Sequence, residues 1–182
     1  MVTNINICTF LRNLIKYQVF RKQTTYILMK AKAVFQRNIK GRITFIQDEA
    51  SGEVSVRGDV QNLKPGKHAL HIHTYGDLQS TDCIKCGGHW NPTNKDHGGR
   101  HDENSHAGDL GNITANEQGK ATFAFKTKKF TLFGDVTRSV IGRSIIIHED
   151  PDDNGKGGFH DSLITGHAGG RLDCAVIGHC KS

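Results

Sequence analysis

The chain has 182 residues, with 24 Lys or Arg, 18 Asp or Glu, 11 His, 21 Gly and a formal net charge of +6. That length suits one domain, or one domain with an appendage, and excludes two full ones; no run is apolar enough for a membrane span. Residues 1–47 hold nine basic side chains and no acid, leaving fifteen basic and eighteen acidic beyond them, so the body of the chain is not a nucleic-acid-binding domain.

Residues 1–28 read as a basic N-terminal extension. Ile7, Phe10, Leu11, Leu14 and Ile15 recur near a helical period, with Arg12, Lys16, Arg21 and Lys22 among and after them. Such a basic amphipathic helix serves at a membrane surface or in mitochondrial targeting. The pattern is equally that of a disordered tail, or of residues upstream of a start at Met29. A presequence is rich in Ser and Arg; this stretch has no Ser and two Arg, which favours the tail. The cations also leave no apolar core of about 7 to 15 residues for a secretory signal. The expected location is the cytoplasm, with mitochondrial or other targeting by residues 1–28 as the alternative.

From Met29 to the end of the chain, residues 29–182, the apolar period changes to two. Val34, Ile43, Phe45, Val54, Val56, Leu70, Ile72, Phe123, Phe125, Ile145, Ile147, Cys174 and Val176 sit in short runs punctuated by "EASGE", "LKPGK" and "ANEQGK". This predicts an all-β sandwich or barrel with no further helical stretch. Two Gly-rich polar segments, 76–109 and 149–171, break the strand spacing, and loops of that length in a compact domain are usually functional.

Within the run "HALHIHTYGD", His71 and His73 are two residues apart on a strand and point the same way, at what read as inward positions. The loop that follows carries His89, His97, His101, His106 and Asp109. Three imidazoles and one carboxylate make a tetrahedral zinc site, and His106 and Asp109 are close enough in sequence to share one ion. His148 ends the run "SIIIHED"; with His71, His73 and one loop imidazole it makes a four-nitrogen set of the kind that suits copper(II). Cysteines at 8, 83, 86, 174 and 180 are an odd number, so one stays free or pairs between chains. The Cys83-x-x-Cys86 spacing fits a redox pair or half a zinc site, although no βαβ pattern or second pair accompanies it.

Taken in order, "LHIHTYGD", "GGHWNP", "HGG", "SHAGDLGNITA", "VIGRSIIIHEDPDDNGKGG" and "TGHAGGRLDCAVIG" resemble the copper,zinc superoxide dismutase family over residues 29 to 178. The resemblance implies an eight-stranded Greek-key β-barrel with two long functional loops. It implies copper held by His71, His73, His97 and His148, and zinc held by His89, His97, His106 and Asp109, with His97 shared. Asp152 corresponds to a carboxylate joining one copper and one zinc ligand, with Asp153 as its stand-in one position on. Arg171 corresponds to the arginine that receives the anion, Thr165 to the residue narrowing the channel opposite it, and Cys83 with Cys174 to an intrachain disulfide. His68, His101, His160, His167 and His179 are left as non-ligands.

The implied activity is disproportionation of superoxide to dioxygen and hydrogen peroxide, with His97 carrying a proton as copper cycles. The competing reading is a domain that stores or delivers copper or zinc without turnover. The partners implied are the superoxide anion, a second copy of the chain and a copper chaperone. Asp150 and Ile164 stand where many relatives place rim lysines. Gly76, Ile141, Val176 and Gly178 match dimer contacts, while His179 replaces an apolar residue there.

Overall fold

The structure is a computed structural model and describes residues 29–181. The basic extension 1–28, with its expected helix or tail and Cys8, lies outside the described residues. Nine strands form two antiparallel sheets among the described residues. The first contains β1 (Met29–Phe35), β2 (Lys40–Gln47), β3 (Val54–Gln61), β6 (Ala121–Thr127) and β9 (Gly178–His179), in the order β6-β3-β2-β1-β9. The second contains β4 (Gly66–His73), β5 (Asp109–Ala115), β7 (Ser144–His148) and β8 (Arg171–Val176), in the order β5-β4-β7-β8. The chain crosses from β3 to β4, returns from β5 to lie beside β3 as β6, and crosses again to β7 beside β4. This is the Greek-key path expected, with eight principal strands. The two-residue β9 pairs with β1 through Ala31↔His179 and Lys32↔Gly178, and so joins the chain end after β8 to the first sheet.

The period-two pattern produces the core directly. Ala31, Ala33, Phe35, Ile43, Phe45, Val54, Val56 and Val60 from the first sheet meet Leu70, Ile72, Ile145 and Ile147 from the second. Three of the period-two residues stand outside this core: Val34 is 49% exposed because Ala33 and Phe35 set the buried register of β1, Cys174 faces the other side of its sheet, and Val176 is half-buried. A third long connection, 128–143, contributes Phe130, Leu132 and Val140 to the same core. Its apolar residues imitate a strand in sequence, but its backbone is tied by Gln47, whose Oε1 accepts from Leu132 N at 2.6 Å. Among the described residues, helix is confined to one α-helical turn, α1 (Ser162–Thr165), and two 3₁₀ turns, Ile84–Cys86 and Val136–Arg138.

The opposite face of the second sheet is covered by the two long loops. Ile146 on β7 and Cys174 on β8 are buried there with Cys83 and Cys86. Cys83 and Cys174 form a disulfide across 91 residues, with a Cα–Cα distance of 6.0 Å. Closing a loop of that size restricts the unfolded chain by about 4 to 5 kcal/mol in the chain-entropy account.

Beneath the loops, three backbone segments close on one another. Trp90 N donates to Ile72 O at 2.8 Å, Ile72 N to Gly108 O at 2.9 Å and Gly108 N to Trp90 O at 3.0 Å. A Cβ at position 108 would stand 2.3 Å from Ile72 O and 3.2 Å from both Trp90 N and Trp90 O. Every one of these neighbours is main chain, so none can swing aside. Gly108→Ala should therefore destabilise the domain by about 1 to 3 kcal/mol, read as a lower denaturant midpoint; an unchanged midpoint would show that the junction is not tightly packed.

Candidate metal centre

His71 and His73 alternate with Leu70 and Ile72, and it is the aliphatic pair that faces the barrel core. The inward placement expected for the imidazoles is thus corrected: they lie on the sheet's other face, where the loops bury them to 0% and 1% exposure. The segment after Gly87 runs back along the end of β4, with Thr74 N donating to Gly88 O at 3.0 Å and an isolated antiparallel bridge between His73 and His89. That pairing brings His89 beside both strand histidines, with ring centroids 4.0 Å from His71 and 5.0 Å from His73.

Two bulges complete the constellation. Between β4 and β5 the register shifts so that Asp109 comes opposite His71, and Gly111 takes up the turn at φ 71°. Between β7 and β8 a second shift brings Arg171 opposite His148. A bulge re-aims the side chain beside it, and each of these delivers one functional group to the site.

Two groups of ligand atoms result. In the first, atoms of His71, His73, His89 and His148 lie within 4.8 Å of one another, with His73 Nε2 and His148 Nε2 3.3 Å apart. His73 Nδ1 donates to Gly87 O at 2.8 Å, which leaves Nε2 with a free lone pair. In the second, Asp109 Oδ1 lies 3.0 Å from His97 Nδ1, 3.1 Å from His89 Nδ1 and 3.2 Å from His106 Nδ1, and the His89 and His106 Nδ1 atoms are 3.4 Å apart. Tetrahedral zinc with bonds near 2.0 to 2.1 Å has ligand–ligand edges of about 3.3 Å, so these spacings fit. Asp109 Oδ2 is turned away and held by the N–H groups of Gly98 and His106. His71 also has a nitrogen close to the second group. Its Nε2, however, donates to Asp152 at 2.9 Å, and its ring lies against the first group, tilted beside His89 and edge-on to His148.

His89, rather than the expected His97, is the ring that lies between the two groups. The rings near His97 are those of His71, His89 and His106, and neither His73 nor His148 is among them. His97 Nε2 is taken by Asp152 Oδ1 at 2.7 Å, so only Nδ1 faces a ligand group. His89 presents Nδ1 to the second group, while its buried Nε2 has no hydrogen-bond partner. His71 Nδ1 and His148 Nδ1 are likewise buried and unpartnered. Orphaned buried nitrogens are costly, and nitrogen donors gathered in this way fit metal ions.

Electrostatics agree. Burial, with the neighbouring His89, pushes His73 well below the ordinary histidine pKa; burial and His71 do the same for His148 and bring His89 to about 3. These rings are neutral at working pH and offer lone pairs. Burial acts to raise the Asp109 pKa, but His106, His89 and His97 outweigh it and keep the carboxylate ionised. Asp152 is buried as well and is held low by His71 and His97, whose outer nitrogens it joins. Asp153 instead accepts from Ser162 Oγ at 2.6 Å.

Arg171 Nη1 donates to Cys83 O at 2.7 Å, which ties the guanidinium to the disulfide-bearing turn. Thr165 closes α1, its hydroxyl directed to Asp161 at 3.3 Å. His101, His160, His167 and His179 are exposed, whereas His68 is buried between Lys64 O at 2.8 Å and His148 O at 2.9 Å. Other contributors give no sequence signal. Asn112 clamps the Asp152 backbone through two contacts of 2.8 Å. Lys129 Nζ donates to Ser105 Oγ at 2.5 Å and reaches the carbonyls of His106 and Gly99 at 3.4 and 3.5 Å.

Comparison with known proteins agrees with this geometry. The model of the family described as copper/zinc superoxide dismutase matches residues 39–177. "Superoxide dismutase [Cu-Zn] A" of Xenopus laevis is 48% identical over 143 residues, which are 79% of this chain and 91% of that protein. Among solved structures, the one titled "Crystal Structure Analysis of the clock protein EA4" superposes with a TM-score of 0.77 at 41% identity, covering 83% of this chain and 94% of that one. An all-β Greek-key fold, two histidine-rich ligand groups and a family match over most of the chain converge: the chain belongs to the copper/zinc superoxide dismutase family.

Proposed function

We infer that the chain is a copper,zinc superoxide dismutase in which His89 is the ligand common to both metals. The observation that carries this assignment is the two-sided placement of His89, Nδ1 toward Asp109 and Nε2 toward His71, His73 and His148. Copper would be held by His71, His73, His89 and His148, and zinc by His89, His97, His106 and Asp109. Two superoxide anions and two protons give one dioxygen and one hydrogen peroxide. Bound copper supplies the one-electron couple for the two half-reactions, and zinc supplies a fixed positive charge.

The chain's own groups do the rest. Arg171 uses Nη1 to hold Cys83 O, leaving the remaining edge of the guanidinium to receive an anion beside His148, its cross-strand neighbour. A guanidinium stays charged over the working range. His89 keeps Nδ1 committed to the Asp109 side, so Nε2 is the atom that takes up a proton when freed and passes it to the reduced product. Asp152 fixes the rings of His71 and His97 by accepting from their outer N–H groups. A domain that merely stores metal has no use for an arginine at this place, which favours turnover.

Residues 29–182 form the proposed folding unit, since β1 is paired from Met29 onward. No helix among the described residues is long and apolar enough to cross a membrane; a cytoplasmic location is proposed, with mitochondrial or other targeting by residues 1–28 as the alternative. Homodimerisation is proposed from the resemblance at Gly76, Ile141, Val176 and Gly178, next to which Tyr75 is exposed. His179 is exposed on the two-residue β9 beside that face. A copper chaperone is the proposed partner for metal loading.

Three measurements test this reading. His89→Ala should abolish activity and uncouple the metals, His97→Ala should lose zinc before copper, and the exposed His101→Ala should stay within about twofold of the parent. Metal analysis beside a superoxide-decay assay reads all three, and equal losses in His97→Ala and His89→Ala would reject the shared role of His89. Arg171→Ala should slow superoxide decay by about tenfold or more through loss of a contact charge, and Arg171→Lys should slow it less; an unchanged Arg171→Ala rate would remove Arg171 from the site.

The third concerns pH. Burial lowers the pKa of His97, but Asp109 and Asp152 outweigh it and raise it to about 9 in the metal-free chain. His97 therefore carries a proton at neutral pH that must leave before Nδ1 can bind a cation. Zinc uptake should release a proton near pH 7 and tighten as pH rises toward 9. Calorimetry in buffers of different ionisation heat measures this; a buffer-independent heat would contradict it.

A further inference from the structure

Cys86 is a free, fully buried thiol three residues after one half of the disulfide, and the superoxide chemistry does not use it. Residues Ile84–Cys86 form a 3₁₀ turn in which Cys86 N donates to Cys83 O at 3.1 Å. Cys83 caps that turn in a left-handed conformation. Both cysteines are buried in one small apolar cluster with Ile146 and Cys174, closed by Leu78 and separate from the barrel core. The Cys86 thiol is the one sulfur in the cluster left outside the disulfide, and it donates to Asp77 O at 3.3 Å.

Two cations flank the cluster. Arg37 Nη1 lies 4.0 Å from Cys174 Sγ, and the same guanidinium is fixed by Ser80 O at 3.1 Å and Leu78 O at 2.6 Å. Arg171 Nη1 is hydrogen-bonded to Cys83 O at 2.7 Å. Nearby cations stabilise thiolates. Arg37 is thus placed for Cys174, the sulfur that would leave, and Arg171 is tied to the turn that carries Cys83 and Cys86.

We propose that Cys83, Cys86 and Cys174 form an internal thiol–disulfide exchange site. Cys86 gives up its proton, its sulfur attacks Cys83 Sγ, the Cys83–Cys174 bond breaks, and Cys174 leaves as a thiolate that takes up the proton. One S–S bond forms as another breaks, so no oxidant or reductant is consumed. The product closes the loop on itself as a Cys83–Cys86 pair and releases β8, which begins with Arg171. Sulfur pairing and the anion-binding group are thereby linked through one strand.

The test uses the full-length, metal-loaded protein without any reductant, at about pH 8, where a cysteine of ordinary pKa is partly ionised. Excess maleimide is followed by an acid quench and mapping of the unreduced peptides. Maleimide on Cys174 together with a Cys83–Cys86 cross-link is expected, at least about tenfold above the level in Cys86→Ala or Cys86→Ser. Labelling of Cys86 with none on Cys174 would overturn the proposal. So would equal Cys174 labelling in the Cys86 variants, or Cys83 joined to Cys8 or Cys180.

Discussion

The metal centre depends on a close approach of three backbone segments, Ile72, Trp90 and Gly108, that only a residue without a side chain at position 108 permits. Ile72 lies between His71 and His73, Trp90 follows His89, and Gly108 precedes Asp109. Their three mutual hydrogen bonds of 2.8 to 3.0 Å therefore fix ligand-bearing residues from β4, the first loop and β5 relative to one another. Ligands carried on paired backbone are held better than ligands on free loops. The second loop is then added through Asp152, which Asn112 grips from β5 and which joins His71 to His97.

This arrangement places a chain of fixed groups around two ions. Asp152 orients one ligand of each group, and Asp109 gives one oxygen to the nitrogens and the other to the backbone. Lys129, half-buried and lowered in pKa by that burial, secures the carbonyls around His106. On the opposite side the disulfide and the Arg171–Cys83 contact bind the first loop to β8. The exposed surface of the second loop is apolar at Phe159, Leu163 and Ile164, and it departs from a rim of steering cations.

Much of this was legible in the chain itself. Period-two alternation marks the strands, the two Gly-rich polar segments mark the loops, and His-x-His on a strand beside a histidine-rich loop marks a metal site. The disulfide partner of Cys83 followed from resemblance and stands where expected, and Asp152 lies between His71 and His97. What spacing along a chain cannot encode is which imidazole lies between two groups. His89 takes that place because residues 88 to 90 pair back along the end of β4, a contact between segments that no local pattern announces. The bulges that set Asp109 opposite His71 and Arg171 opposite His148 are likewise register events. Gly111 in "GDLGN" is their sole trace in the sequence. His71 and His73 were misplaced for a related reason: loops bury an outer sheet face as completely as a core does, so alternation cannot separate the two.

Anomalous diffraction from crystals of the metal-loaded protein, recorded on both sides of the copper and zinc absorption edges, tests the central assignment most directly. The account predicts a copper peak ringed by His71, His73, His89 and His148, a zinc peak ringed by His89, His97, His106 and Asp109, and the His89 ring between the two. A His97 ring between the peaks, or two peaks that share no imidazole, would contradict it.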